Sequence, residues 1–164
     1  MSEGRLLIVG LGNPLMGDDG AGIEVVSELH KLVLPENVDV IDGGTPGVGL
    51  IDMMSGYSRV IVVDAVMGAC HPELVSGSLG KEILKQFQDD REGDNCSLHE
   101  TELTSVLRLM QTLGMKIPEI TIVGIPAFNI APGIGLSEEC MKLIPQAVEL
   151  NRDSAYLFGE TSNK

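Results

Sequence analysis

Residues 6–22 have the sequence LLIVGLGNPLMGDDGAG, an apolar run followed by a glycine-rich loop. The four apolar residues at positions 6–9 are typical of a strand that is buried on both faces of a parallel sheet. After the loop, apolar residues recur at helical spacing ahead of a proline, which predicts a helix over residues 19–33. This order of strand, loop and helix is the first unit of an α/β fold.

The remainder of the chain repeats the alternation of strands and helices. Further strands are predicted over residues 38–41, 59–64 and 119–124, with a weaker edge strand over residues 76–84. Helices are predicted over residues 48–54, 97–113 and 137–158. We therefore expect an α/β fold, a three-layer sandwich in which a mostly parallel, twisted sheet has helices on both faces. We expect residues 1–164 to form a single domain, in which residues 151–164 are the end of the last helix and a flexible tail.

The composition argues against several classes of partner. The formal net charge is −13 over 164 residues, so the protein repels phosphate backbones and anionic lipid surfaces. The three cysteines form no CxxC pair, which argues against a disulfide framework and a thiolate zinc site. The sequence shows neither a signal peptide nor an apolar stretch of membrane-spanning length. We expect a cytoplasmic protein that neither binds nucleic acid nor inserts into a membrane.

The glycine loop after the first strand does not match a dinucleotide site. A GxGxxG fingerprint needs a third glycine where this chain has Leu15. Asp18 and Asp19 also stand where a pyrophosphate would need backbone N–H groups and no negative charge. We interpret Asp18 as the N-cap of the first helix. Asp19 is interpreted either as a partner of the helix dipole or as a metal ligand.

Acidic residues follow three of the predicted strands, and parallel strands would bring them to one edge of the sheet. Asp19 belongs to the loop after the first strand, whereas Asp42 and Asp64 end the second and third. Ligands of open α/β sheets bind outside these carboxyl ends. A single aspartate there often caps the next turn. Carboxylates on adjacent strand ends, however, repel each other unless a cation or a shared proton offsets their charge, so the pattern indicates a cation site.

His99 is the candidate third ligand of this site. It follows Ser97 in the sequence SLHE, which matches a Ser-x-x-Glu capping box at the start of a helix. The positive end of the helix disfavours protonation of the imidazole and keeps it neutral, as a metal ligand must be. Asp19, Asp64 and His99 would supply two carboxylates and one imidazole and leave positions open for water or substrate. Zinc, nickel and similar divalent ions all suit this set.

Other catalytic classes have little support in the sequence. Serine catalysis lacks a GxSxG elbow. None of Cys70, Cys96 and Cys140 has the sequence context of a nucleophile. His30 lies within the first predicted helix and His71 precedes a proline in a loop, so we interpret both histidines as structural.

Four motifs occur in an order and spacing that resemble the hydrogenase maturation protease family. They are GLGNPLMGDDGAG after the first strand, DGGTPG after the second, IVVD at the end of the third and SLHETEL at the start of a later helix. None of the motifs is decisive by itself, but four in this order are specific. The agreement covers roughly residues 5–146.

The resemblance implies roles for particular residues. Family members bind the metal through an acidic residue of the first loop, an aspartate at the end of the third strand and a histidine. Those positions correspond here to Asp19, Asp64 and His99, which would be both the catalytic and the metal-binding residues. The first acidic residue is Glu in some members and is one methylene shorter here. The substrate-recognition loop of the family corresponds to Asp42, Gly43, Gly44 and Thr45.

The resemblance also implies an activity and its partner. The family consists of endopeptidases that remove the C-terminal extension of the large-subunit precursor of a nickel–iron hydrogenase after nickel has been inserted. The metal is then nickel presented by the substrate, and zinc or another divalent ion would also fit the isolated protein. A non-catalytic chaperone for nickel or the large subunit would use the same ligands. A peptidyl-tRNA hydrolase shares only the GLGNP start, and tRNA suits a net charge of −13 badly. The oligomeric state is left open.

Overall fold

The computed structural model describes residues 4–67, 75–79 and 100–162 of the chain. The strands in these ranges are β1 (Leu6–Leu11), β2 (Val38–Gly44), β3 (Arg59–Val66), β4 (Val75–Leu79) and β5 (Glu119–Pro126). The α-helices are α1 (Ala21–Leu29), α2 (Leu50–Met54), α3 (Glu100–Thr112) and α4 (Glu138–Ser162). Short 3-10 turns at Gly17–Gly20 and Gly47–Gly49 lead into α1 and α2.

The five strands form one sheet in the order β2-β1-β3-β5-β4. The first four strands of this order are parallel to one another, and β4 pairs antiparallel with β5 at the edge. The edge strand is Val75–Leu79, which confirms residues 76–79 of the prediction, and residues 80–84 of that prediction lie outside the described ranges. The predicted α/β fold with a mostly parallel sheet is confirmed.

Both faces of the sheet are covered by helices, because the central strands are apolar on each side. On one face, α1 and α4 bury a cluster that includes Val25, Leu29 and Ile144 against Ile8 and Val63. On the other face, α2 and α3 contribute a second cluster of buried apolar side chains, namely Leu50, Met54, Leu103, Val106, Leu107 and Met110. Each cluster removes roughly ten or more large apolar side chains from water, at about 1.5–3 kcal/mol per side chain. The three-layer arrangement follows from these two cores.

The last helix is longer than the apolar periodicity predicts. α4 continues past residue 158 to Ser162, and Ala155 and Phe158 are buried in the cluster shared with α1. α1 is shorter than predicted, because the segment before Ala21 forms a 3-10 turn and the helix ends at Leu29. In the described ranges, no helix has both the length and the apolar character needed to cross a membrane.

Candidate functional site

The start of α1 packs directly on the ends of two strands. A Cβ atom at Gly22 would stand 2.3 Å from the carbonyl oxygen of Val63, and one at Gly10 would stand 2.3 Å from the carbonyl oxygen of Gly22. Only glycine allows backbone segments to approach this closely. The 3-10 turn before α1 carries Asp19, and Asp64 directly follows Val63 in β3. This close packing therefore places both aspartates at the same edge of the sheet.

Asp19 is buried, with only 6% of its surface exposed. Its Oδ2 atom accepts a hydrogen bond of 2.9 Å from the backbone N–H of Asn13. Its Oδ1 atom is buried and has no hydrogen-bond partner among the described residues. A buried carboxylate oxygen without a partner is destabilising, and native proteins keep such atoms rarely. The position fits a group that acquires its partner, such as a cation, when a ligand arrives.

Asp64 is the second buried carboxylate at this edge, with 3% of its surface exposed. Its Oδ1 atom accepts a hydrogen bond of 2.8 Å from the backbone N–H of Ala65. Alternation along β3 places its side chain on the same face as Val60 and Val62, which is the face covered by α2 and α3. Within residues 4–67, 75–79 and 100–162, no group of three or more His, Cys, Asp or Glu side chains is placed to hold a metal ion.

The predicted third ligand, His99, lies outside the described residues, as do Ser97 of the predicted capping box and His71. The helix that follows His99 in sequence is described. Met110, near the end of α3, lines a cavity with Gly4 and Arg5 at the amino ends of the strands. A helix of 13 residues is about 20 Å long, so α3 begins towards the carboxyl edge where the two aspartates lie. The role of His99 stays a prediction.

Asp42 lies on the other side of β1 from Asp64, which corrects the expectation that these two residues end adjacent strands. The sheet order places β1 between β2 and β3. Gly10 of β1 pairs with Asp42 on one side and with Val63 on the other. Two strand spacings correspond to roughly 10 Å. Asp42 and Asp64 therefore lie at the same edge of the sheet but are not adjacent.

The predicted substrate-recognition loop is fixed to the end of β1 through Gly44. Asp42 Oδ1 accepts a hydrogen bond of 3.0 Å from the N–H of Gly44, and the N–H of Gly12 donates to the Gly44 carbonyl oxygen at 2.8 Å. Gly44 has a φ of 57°, in the left-handed region that favours glycine. Thr45 is exposed in the turn that follows. The loop thus presents Thr45 and the Asp42 carboxylate to solvent from a fixed backbone.

Asp18 does not cap α1, and its interpretation as the N-cap is wrong. Gly20 occupies the N-cap position and makes no side-chain cap. The carboxylate of Asp18 instead accepts hydrogen bonds from the N–H groups of Phe128 (2.8 Å), Asn129 (2.9 Å) and Ser137 (2.6 Å). Burial raises the pKa of Asp18, but hydrogen bonds from Ser137, Phe128 and Asn129 outweigh burial and hold that pKa below its ordinary value. Asp18 is a structural link that sequence analysis missed, because its partners lie more than 100 residues away.

Among the described residues, Cys140 and His30 have surroundings that indicate a structural role. Cys140 is buried in the cluster beneath α4. Burial, the negative charge of Asp18 and a hydrogen bond to Asp18 raise the pKa of the Cys140 thiol to about 12, so it carries almost no thiolate at neutral pH. His30 Nε2 is 3.0 Å from the carbonyl oxygen of Val40, an atom that can only accept a hydrogen bond. Neither residue takes part in the candidate site.

A cavity of about 550 Å³ lies at the opposite edge of the sheet. Its lining residues are Gly4, Arg5, Ser55, Gly56, Tyr57, Ser58, Met110, Met115 and Lys116. These residues include no carboxylate, imidazole or thiol that could bind a divalent ion or act as a general base. The cavity therefore lacks the carboxylate ligands that Asp19 and Asp64 provide at the carboxyl edge.

Comparison with known families identifies the family of the chain. The family model described as hydrogenase maturation protease matches residues 23–153. The chain belongs to the hydrogenase maturation protease family. A Methanocaldococcus jannaschii protein named as a hydrogenase maturation protease is 35% identical to it, over 92% of this chain and 96% of that protein. The predicted enzyme class, a protease and therefore a hydrolase, is confirmed through the family.

Solved structures of other hydrogenase maturation proteases have the same fold. The hydrogenase maturating endopeptidase HybD from Escherichia coli superposes with a TM-score of 0.79 at 26% identity, covering 94% of each chain. The nickel–iron hydrogenase maturation protease HybD from Thermococcus kodakarensis superposes with a TM-score of 0.75 at 32% identity, covering 92% of this chain and 99% of that one. In both superpositions the similarity extends over more than nine-tenths of this hydrogenase maturation protease.

Proposed function

We propose that this hydrogenase maturation protease removes the C-terminal extension of the nickel-loaded large-subunit precursor of a nickel–iron hydrogenase. The observation that carries the proposal is the pair of buried carboxylates, Asp19 and Asp64, at one edge of the sheet. Asp19 Oδ1 lies there without a hydrogen-bond partner among the described residues. A buried carboxylate oxygen of this kind suits a protein whose substrate brings the cation with it.

The recognition step rests on charge. Carboxylates that are buried lose hydration and repel one another at short range, and a divalent cation bound by both offsets these two costs. Nickel in the precursor would be held by Asp19, Asp64 and His99, a mixed oxygen and nitrogen set that also suits zinc or another divalent ion. A precursor without nickel offers the carboxylates nothing to bind, which makes the metal a condition for docking.

The chemical step is hydrolysis of one peptide bond. Nickel held at the site would fix the scissile peptide nearby. The nickel would there polarise the carbonyl group of the scissile bond or lower the pKa of a water molecule. Asp42, across β1 from Asp64, would orient the substrate chain or serve as a general base. The backbone of the Asp42–Thr45 segment is held by Gly12 and is suited to contact an extended peptide.

The test is intact-mass spectrometry of the large-subunit precursor, loaded with nickel or free of it, incubated with and without the protein. We expect loss of one defined C-terminal peptide from the nickel-loaded precursor alone. A stable complex with an unchanged precursor mass would instead support the chaperone alternative. Neither cleavage nor binding, together with retention of the protein on a polyanion resin at low salt, would favour a tRNA-directed enzyme.

The ligand assignment has its own test. His99→Ala should abolish cleavage of the nickel-loaded precursor, because the imidazole would be one of three ligands. Far-ultraviolet circular dichroism and the melting temperature should stay close to those of the wild-type protein. Full activity of a folded His99→Ala variant would refute the assignment.

A further inference from the structure

Apolar side chains are exposed beside the candidate site on two neighbouring loops. Leu15 lies in the loop after β1, and Phe128 and Ile134 lie in the loop between β5 and α4. Ile134 is 90% exposed, which is unusual for a large apolar side chain. Pro14 and Pro132 are exposed next to them. We call the surface formed by Pro14, Leu15, Phe128, Pro132 and Ile134 the apolar rim.

The apolar rim also lacks charge. The loop sequence at residues 126–137 is PAFNIAPGIGLS, with no ionisable side chain, in a chain whose net charge is −13. The loop segment at residues 10–17, GLGNPLMG, is uncharged as well. Charged residues elsewhere on the surface keep such a protein in solution. An uncharged, exposed apolar surface matches a partner segment that is itself apolar and uncharged.

The two loops are held together as one rigid piece. The N–H of Gly133 donates to the Leu15 carbonyl oxygen at 2.9 Å, and the N–H of Gly17 donates to the Gly133 carbonyl oxygen at 3.1 Å. The buried Asp18 carboxylate accepts hydrogen bonds from the N–H groups of Phe128 and Asn129. A surface fixed in advance loses little conformational entropy when a partner binds. Exposed apolar groups on a rigid support are therefore suited to binding.

From these observations we propose that the apolar rim docks an uncharged, apolar segment of the large-subunit precursor that adjoins the peptide to be cut. This inference rests on the proposed function, since it names a second contact of the same substrate. The rim is continuous with the candidate site, because Leu15 and Asp19 belong to the same segment between β1 and α1. Asp18, next to Asp19, accepts hydrogen bonds from the loop that carries Phe128. A precursor segment bound at Asp19 would therefore lie within reach of this surface.

The test compares two exposed apolar residues of nearly equal exposure. Ile134→Ser, alone and combined with Phe128→Ser, removes the apolar contact from the rim. Val33→Ser is the matched control, because Val33 is 86% exposed and lies outside the candidate site. The measurement is the initial rate of cleavage of nickel-loaded precursor over a range of precursor concentrations, with the melting temperature of each variant as a check on folding.

We expect the double variant to raise KM by at least about tenfold, because two apolar side chains that are partly buried by the substrate are lost. The value of kcat should stay within about twofold of wild type. Val33→Ser should keep the wild-type KM. A wild-type KM in the double variant would overturn the docking surface while leaving the protease function standing. If that variant instead dissociates a dimer without changing KM, the rim binds a second copy and the proposal is wrong. Absence of cleavage by the wild-type protein would refute the proposed function, and the docking role with it.

Discussion

Asp18 and Ser137 are joined by two hydrogen bonds although 119 residues separate them in the sequence. The Ser137 N–H donates to Asp18 Oδ1 at 2.6 Å, and its hydroxyl donates to Asp18 Oδ2 at 2.7 Å. The same hydroxyl oxygen accepts the N–H of Cys140 at 3.3 Å in the first turn of α4. One buried carboxylate thus connects the loop that carries Asp19 with the start of α4, which packs on the same face of the sheet as α1.

The first prediction concerns this link. Asp18→Asn should lower the free energy of unfolding by roughly 2–4 kcal/mol, because an amide accepts fewer hydrogen bonds and leaves buried N–H donors unpaired. Urea unfolding followed by circular dichroism measures the difference. Asp52→Asn is the control, since Asp52 is exposed in the first turn of α2. A loss no larger than that of the control would show that Asp18 is not a structural link.

The contribution of Asp18 should also depend on pH in a defined direction. Its pKa lies lower in the folded protein than the ordinary value of 3.8, so the ionised form is favoured by folding. The stabilisation is therefore fully present above about pH 5 and is lost as the pH falls through the folded-state pKa. The difference in unfolding free energy between wild type and Asp18→Asn should narrow below about pH 4. A difference that widens on acidification would contradict the assignment.

The second prediction concerns the close contact between α1 and the strand ends. Gly22→Ala should destabilise the protein by about 1–3 kcal/mol, although alanine normally favours helices over glycine. The added Cβ would stand 2.3 Å from the carbonyl oxygen of Val63. Backbone atoms of a central strand can move away only at a cost in free energy. Gly49→Ala is a matched control in which the Cβ meets nothing nearer than 3.9 Å. The melting temperature should fall for Gly22→Ala and stay unchanged for Gly49→Ala. Cleavage should be impaired in Gly22→Ala.

The third prediction concerns cysteine chemistry. Because burial and Asp18 raise the pKa of Cys140 to about 12, iodoacetamide at pH 8 should leave this thiol unmodified in the folded protein. Peptide mass spectrometry should find the adduct at Cys140 only after unfolding. Cys140→Ala should retain cleavage of the precursor. Rapid alkylation of Cys140 in the folded protein, with loss of activity, would point to a thiol-dependent enzyme.

Much of the fold could be predicted because its signals are local. The apolar runs of β1, β3 and β5 and the glycine-rich loop between β1 and α1 are contained in short stretches of sequence. The order of strands is not local, and the sequence gives no sign that β1 lies between Asp42 and Asp64. The hydrogen-bond partners of Asp18 could not be predicted for the same reason, because they are distant in sequence. A pair of adjacent aspartates indicates an important turn, but only the folded chain distinguishes the hydrogen-bonded Asp18 from Asp19, whose Oδ1 has no partner among the described residues.

The fourth prediction separates the roles of these two neighbours. Asp19→Asn keeps an oxygen that can accept the N–H of Asn13 but removes the negative charge. Since the Asp19 Oδ1 atom makes no hydrogen bond within the described part of the chain, we expect the unfolding free energy to fall by no more than about 1 kcal/mol. Cleavage should nevertheless be lost. Asp18→Asn, by contrast, should be detected first as a loss of stability.

The most direct test of the central claim is cleavage of the nickel-loaded large-subunit precursor by the Asp19→Asn variant. Intact-mass spectrometry measures the cleavage, and the wild-type protein and Asp52→Asn are measured in parallel. If the buried Asp19 carboxylate binds the nickel of the substrate, wild type and Asp52→Asn will release one C-terminal peptide. The folded Asp19→Asn variant will then be slower by at least roughly 100-fold. Cleavage by folded Asp19→Asn at the wild-type rate would contradict the account.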